Sequence, residues 1–236
     1  MRLKYIYPLL MVIFTWNLNA QKIKFKDENL KIALLELGYD VNKDNEIQIT
    51  EIDTISKLKI SNRNIKSLDD LVHFKKLKTV NAMKNQVLNL DVFFNNSTIE
   101  EIYVGENMLG KKLVIKNMPK LKGLYAFRNG LNELVLINTN NIESLYLQGN
   151  IFEKIILDEL PKLKTVQLSE NGNLKIIDVK RNVELVQLYL NSTKIDKLDI
   201  SNNPLLKTLY IDNGVSLLKS EKQSNFKPMQ SIKVTN

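Results

Sequence analysis

The chain has no cysteine among its 236 residues, which excludes disulfides, thiolate metal sites and cysteine nucleophiles. It has one histidine, His73, so a histidine-rich metal centre is excluded and a Ser-His-Asp triad has a single candidate base. Eight glycines, scattered along the chain, leave little from which to build a glycine-rich phosphate-binding loop. Arginine is scarce as well: only Arg2, Arg63, Arg128 and Arg181. The formal net charge of +8 therefore comes from dispersed lysines. A nucleic-acid face would cluster arginine for bidentate contacts, so a solvated lysine surface is expected and no nucleic-acid partner. Long-range steering toward acidic surfaces remains open. What is present is ordinary globular composition, 44% apolar and 25% charged, in a chain long enough to bury a core.

The first twenty residues read as a secretory leader. Arg2 and Lys4 precede an apolar run from Ile6 to Trp16, which ends at Leu18-Asn19-Ala20 before Gln21. Cleavage after Ala20 would take two positive charges from the formal +8 and leave +6. No later apolar stretch is long enough to span a membrane. A secreted or periplasmic protein is expected.

The rest is repetitive. The frame L-x-x-L-x-L-x-x-N runs through Leu77, Val80, Ala82 and Asn85, then Ile99, Ile102, Val104 and Asn107. It continues through Leu121, Leu124, Ala126 and Asn129, Ile142, Leu145, Leu147 and Asn150, and Leu163, Val166, Leu168 and Asn171. Copies ending in Thr193 and Gly214 follow, and one opening at Ile55, with Arg63 in place of the asparagine, precedes. From Ile55 the successive starts are separated by 22, 22, 22, 21, 21, 22 and 21 residues. A degenerate last copy is Met229, Ile232 and Val234. Alternating apolar residues predict one short inward-facing strand per repeat in a parallel sheet, with the asparagines bonding turn backbone inside. A second alternating pair recurs at Leu88 and Leu90, Leu113 and Ile115, Leu134 and Leu136, Ile155 and Leu157, Ile177 and Val179, and Leu198 and Ile200. Its period of two predicts an extended rather than helical back. Only the first repeat, at Leu68 to Phe74, reads as helical turns.

These residues resemble the leucine-rich-repeat family, in its secreted bacterial, internalin-like form with nested repeats of about 21 residues. The resemblance implies an α/β solenoid: a horseshoe of about eight to nine short repeats, with a parallel sheet on the concave face and an extended convex side. Residues 55–236 would form the solenoid and residues 21–54 a small helical N-cap.

In the cap, Asp27 opens a helix carrying Leu30, Ala33, Leu34 and Leu37, closed by Gly38. The run Asp40 to Glu51 follows it and resembles an EF-hand loop, with Asp40, Asn42, Asp44 and Glu51 at ligand positions one, three, five and twelve. Glu46 stands at the seventh position. Asn45 replaces the usual sixth-position glycine, which an asparagine can do in a left-handed turn. The resemblance implies a weak structural calcium site, and a metal-free capping loop is the alternative.

The outward position between the two apolar strand residues reads Lys59, Asn81, Tyr103, Tyr125, Tyr146, Gln167, Tyr189, Tyr210 and Lys233. Of the six tyrosines after residue 20, five fall in this column. Strands ~4.8 Å apart would stack them. The next outward column holds Met83, Phe127, Gln148, Asn191 and Asp212. Rigid tyrosines flanked by polar groups suit a binding surface, with Tyr103, Tyr125, Phe127, Tyr146, Tyr189 and Tyr210 as its contacts. Tyrosines copied by duplication for cross-strand packing are the competing reading. A protein partner heads the expectation, with a glycan or a structural envelope role as alternatives, and a monomer is expected. Glu100, Glu101 and Glu106 on a flat sheet lack the pocket that raises a glycosidase carboxyl, so no enzyme is expected.

Overall fold

The computed structural model describes residues 21–231. The expected leader, residues 1–20, lies outside them, as do residues 232–236 with Lys233 and Val234. The repeat frame folds as its alternation requires, into a nine-stranded parallel sheet whose strands follow chain order. Eight come from Lys57–Lys59, Thr79–Asn81, Glu101–Tyr103, Gly123–Tyr125, Ser144–Tyr146, Thr165–Gln167, Gln187–Tyr189 and Thr208–Asp212. Their register matches the frame, with Leu58, Val80, Ile102, Leu124, Leu145, Val166, Leu188 and Leu209 in line and buried.

The ninth strand, Met229–Ser231, departs from expectation: Tyr210 pairs with Met229 rather than Lys233. The last return segment is shorter because it runs through a single 3-10 turn, Glu221–Gln223, capped by Ser220. The outward column therefore ends on Met229.

The frame asparagines form the expected ladder. Asn150 accepts from the amides of Asn129 (2.9 Å) and Leu131 (3.0 Å) and donates to the carbonyls of Ala126 (3.0 Å) and Leu147 (2.8 Å). Asn85, Asn107, Asn129 and Asn171 make equivalent bonds, so each turn's unpaired backbone is satisfied by the next repeat. At Thr193, where asparagine fails, Asp212 supplies the acceptor to the amides of Ser192 and Thr193. Asp212 is thus buried rather than outward, a correction to the expected second column. A second ladder, unread in the sequence, runs on the back: Asn182, Asn203 and Gln223 donate to Leu160, Asn182 and Asn203 carbonyls in turn.

The residue before each ladder position is left-handed: Lys84 (φ 56°), Glu106 (56°), Arg128 (49°), Gly149 (68°), Glu170 (62°) and Ser192 (59°). A side chain there is strained. Exposed Lys84 has no ion pair among the described residues. Lys84→Gly is therefore expected to stabilise by about 0.5–1 kcal/mol despite the added chain entropy. A thermal melt checks it, with Lys84→Ala, which keeps the strain, giving no gain.

The convex side carries three two-stranded parallel ribbons: Lys112–Lys116 with Glu133–Ile137, Lys154–Ile156 with Ile176–Asp178, and Lys197–Asp199 with Ser216–Leu218. The first repeat has the expected turn, a 3-10 helix at Asp69–His73. The second repeat corrects the extended reading at Leu88 and Leu90. Leu88 is 59% exposed, and a 3-10 helix, Asp91–Phe93, buries Phe93 instead.

Helix α1 (Glu28–Glu36) closes the N-terminal end of the core with Leu30, Ala33 and Leu34, while Leu37 falls beyond it and is 40% exposed. Asp27 caps α1 through the amides of Asn29 and Leu30 and also accepts from Lys66 (2.6 Å) and Ser67 (2.8 Å). Buried Asp70 in turn accepts from the amides of Lys26 and Asp27. Two buried carboxylates thus fasten cap to solenoid through charge-assisted bonds.

Candidate functional site

The outward face of the large sheet carries the aromatic column. Tyr103 and Tyr125 stack with ring centroids 4.1 Å apart and planes at 9°, and Tyr125 and Tyr146 at 4.8 Å and 28°. Parallel strand spacing sets these distances. All five column tyrosines are partly exposed. Two glycines leave room for ring tips. A Cβ at Gly123 would come within 2.8 Å of the Tyr125 ring, and one at Gly105 would run into the ring of Phe127. Neither glycine has a positive φ, so each is there for room, not for a turn. The Tyr125 and Phe127 rings thus lie over these glycines.

Burial holds the Tyr103 hydroxyl well above the ordinary tyrosine pKa, helped by the Tyr125 hydroxyl and by Glu101. Burial likewise raises Tyr146, with smaller contributions from Tyr125 and Tyr189. These two phenols stay neutral through the physiological range. On the flank, Glu100 pairs with Lys122 (3.3 Å) and Lys78 (3.5 Å), and Glu143 with Lys164 (2.8 Å). Lys122, then Lys78, holds the Glu100 carboxyl below its usual value, the opposite of what a glycosidase acid requires.

The column breaks at Gln167. There a hollow of about 440 Å³ opens between Phe127 and the pair Tyr189 and Tyr210. Its rim is an ion pair, Arg128 to Glu170 at 3.1 Å, spanning two repeats. Gly149 makes the span possible, because a Cβ there would meet the Arg128 stem at 2.7 Å. Gly105, Gly123 and Gly149 each yield space to a neighbouring large side chain. The sequence carried that signal only as glycines at outward strand and turn positions.

The cap loop follows the expected course, with Asn45 left-handed (φ 61°) and its amide donating to Asp40 (2.9 Å). Asp40 and Asn42 both accept from the Asp44 amide. The remaining carboxylates are engaged elsewhere. Asp44 pairs with Lys22 (3.1 Å) and Glu46 with Lys31 (2.9 Å). Glu51 accepts from the Gln48 amide (2.8 Å) in the capping box of α2 (Ile49–Ile52) and from the Val41 amide (2.8 Å) in the loop. No group of three or more His, Cys, Asp or Glu side chains among the described residues is arranged to hold a metal. A cation at this loop would first have to displace Lys22 and Lys31 from Asp44 and Glu46.

No protein-family model matches the chain, and no curated protein matches its sequence. Solved structures match its fold. The functional domain of InlJ from Listeria monocytogenes, which includes a cysteine ladder, is similar at 19% identity and a TM-score of 0.67, over 90% of this chain and 43% of that one. Internalin C2 from Listeria monocytogenes is similar at 16% identity and 0.56, over 88% of this chain and 94% of that one. The leucine-rich-repeat domain of APL1B follows at 17% and 0.59, over 80% and 58%. The chain thus spans less than half of the InlJ domain. At such identities the likeness is of fold: an internalin-like leucine-rich-repeat solenoid whose ladder here is asparagine. No helix among the described residues is long and apolar enough to cross a membrane.

Proposed function

We propose that this protein is a non-enzymatic binding module, secreted or periplasmic, that recognises a protein partner through the concave sheet face. Tyr103, Tyr125, Phe127, Tyr146, Tyr189 and Tyr210 are its contact residues. The observation that carries the reading is the seating of rings over Gly105 and Gly123. Glycine weakens a strand, and a tyrosine row kept only for sheet packing needs none beside it. Rings fixed in place before contact reduce the ordering cost of binding. The internalin-like fold of the neighbours supports protein interaction by analogy of fold, and the leader expected at residues 1–20 is consistent with export. A glycan bound against the same rings is the second reading.

The test is capture by the immobilised protein from surface extracts pretreated with protease or with periodate. Loss after protease, with retention after periodate, is expected; the reverse would make the ligand a glycan. Because the aromatic column is uncharged from Asn81 to Tyr210, capture should also persist when salt is raised.

The cap loop is proposed as a weak calcium site in which the ion competes with Lys22 and Lys31 for Asp44 and Glu46. Extracellular modules bind calcium at ~10⁻⁴ to 10⁻³ M. A Lys22→Gln/Lys31→Gln variant should bind calcium more tightly than the parent in a calorimetric titration. Equal absence of heat in both would make the loop a metal-free cap.

A further inference from the structure

We propose, resting on the reading of this face as a protein-recognition surface, that the hollow at Gln167 is the anchor pocket for one tryptophan or tyrosine side chain of the partner. Four features of the hollow select that chemistry. Its walls are aromatic where Phe127, Tyr189 and Tyr210 face it, which suits a flat ring. Its only charges, Arg128 and Glu170, already hold each other at 3.1 Å, so an entering charge would meet no free counter-ion. The Ser169 hydroxyl is committed to the wall, 2.7 Å from the Gln167 amide oxygen and 2.6 Å from that of Asn191.

The fourth feature is Gln148. Its side-chain oxygen is buried without a hydrogen-bond partner, and such orphans are rare in folded proteins. The terminal amide torsion is soft, so the group turns outward at no loss of an existing bond. It then offers an acceptor to one incoming donor. An indole N–H or a phenol O–H brings one donor on an aromatic plane.

The tyrosine column supplies the discriminating variant. Gln167→Tyr completes the strip from Tyr103 to Tyr210 and at the same time fills the hollow. The neighbouring strands already carry tyrosine at this position, so the fold should hold. The probes are 3-methylindole and p-cresol, against toluene, methyl N-acetyl-β-D-glucosaminide and butylammonium, followed by the side-chain amide signals of the protein in ¹H–¹⁵N spectra. The indole and the phenol should bind at ~millimolar strength and shift the Gln148 amide, with toluene about fivefold weaker. Gln167→Tyr should weaken both by about tenfold or more, and Gln148→Leu, which leaves the hollow open, should remove their advantage over toluene. Preference for the sugar or the ammonium, or indole binding untouched by Gln167→Tyr, would overturn the pocket. So would partner affinity that survives Gln167→Tyr; that result leaves the recognition face standing if Tyr125→Ala still weakens binding by about thirtyfold. No effect of Tyr125→Ala would instead remove the face itself.

Discussion

Asn150→Ala is expected to destabilise the protein by about 3–5 kcal/mol, the largest effect of any single ladder substitution near the middle of the chain. The side chain is 3% exposed and makes four hydrogen bonds, two as acceptor to Asn129 and Leu131 amides and two as donor to Ala126 and Leu147 carbonyls. Alanine leaves the Asn129 and Leu131 amides and the Ala126 carbonyl buried and unpaired, while the Leu147 carbonyl keeps its bond from Asn171, at about 1–3 kcal/mol for each group that finds no water. A solenoid passes its stability through nearest neighbours, so a break at this repeat uncouples the two halves. Thermal melts should show a fall of about 10 °C or more and a broader transition. Asn132→Ala is the control. That residue is exposed, only its backbone is bonded, and its replacement should change stability by no more than about 0.5 kcal/mol. A melt for Asn150→Ala as sharp and high as the parent would show that water replaces the ladder.

The second large effect concerns affinity. Tyr125 stands in the middle of the stacked trio and lies over Gly123, so Tyr125→Ala removes a contact surface and releases both neighbours. A loss of about 2 kcal/mol or more in partner binding is expected, roughly thirtyfold, as for a central aromatic anchor. Stability should fall less, by about 1–2 kcal/mol, from the two lost stacking contacts. Leu124→Ala on the same strand should do the reverse. Its side chain is fully buried on the other side of the sheet, so about 2–5 kcal/mol of stability goes while affinity holds at temperatures where the protein stays folded. Calorimetric titration and melts of the two variants together separate a recognition role from a packing role.

The repeat was legible because period-two alternation and a fixed spacing act together: Leu124, Ala126 and Asn129 mean little alone and much when repeated at 21 or 22 residues. The asparagine ladder was legible for the same reason. What escaped was whatever does not repeat. Asn182, Asn203 and Gln223 form the back ladder in the last repeats only, at unequal spacing and with two residue types. Asp212 looked outward by its place in the frame, yet it is drawn in to serve the amides left by Thr193. The final strand shifted because its return segment took a 3-10 turn whose length the frame does not encode.

The tyrosine column could be read from the sequence, but its seating could not. Gly105, Gly123 and Gly149 look like gaps in outward columns, and only the placement of Phe127, Tyr125 and Arg128 gives each a purpose. In the cap, the loop's ligand positions were visible as spacing. The lysines that meet them, Lys22 and Lys31, come from before the loop and from α1, and no local pattern announces them.

Recognition through the sheet face is tested most directly by photo-cross-linking from two positions. Benzoylphenylalanine would replace Tyr146 on the aromatic column in one variant and exposed Ile156 on the convex side in the other. Cross-links to a protein partner from position 146, and none from position 156, are the predicted result. Cross-links from position 156 alone would contradict the account and move the partner to the convex ribbons.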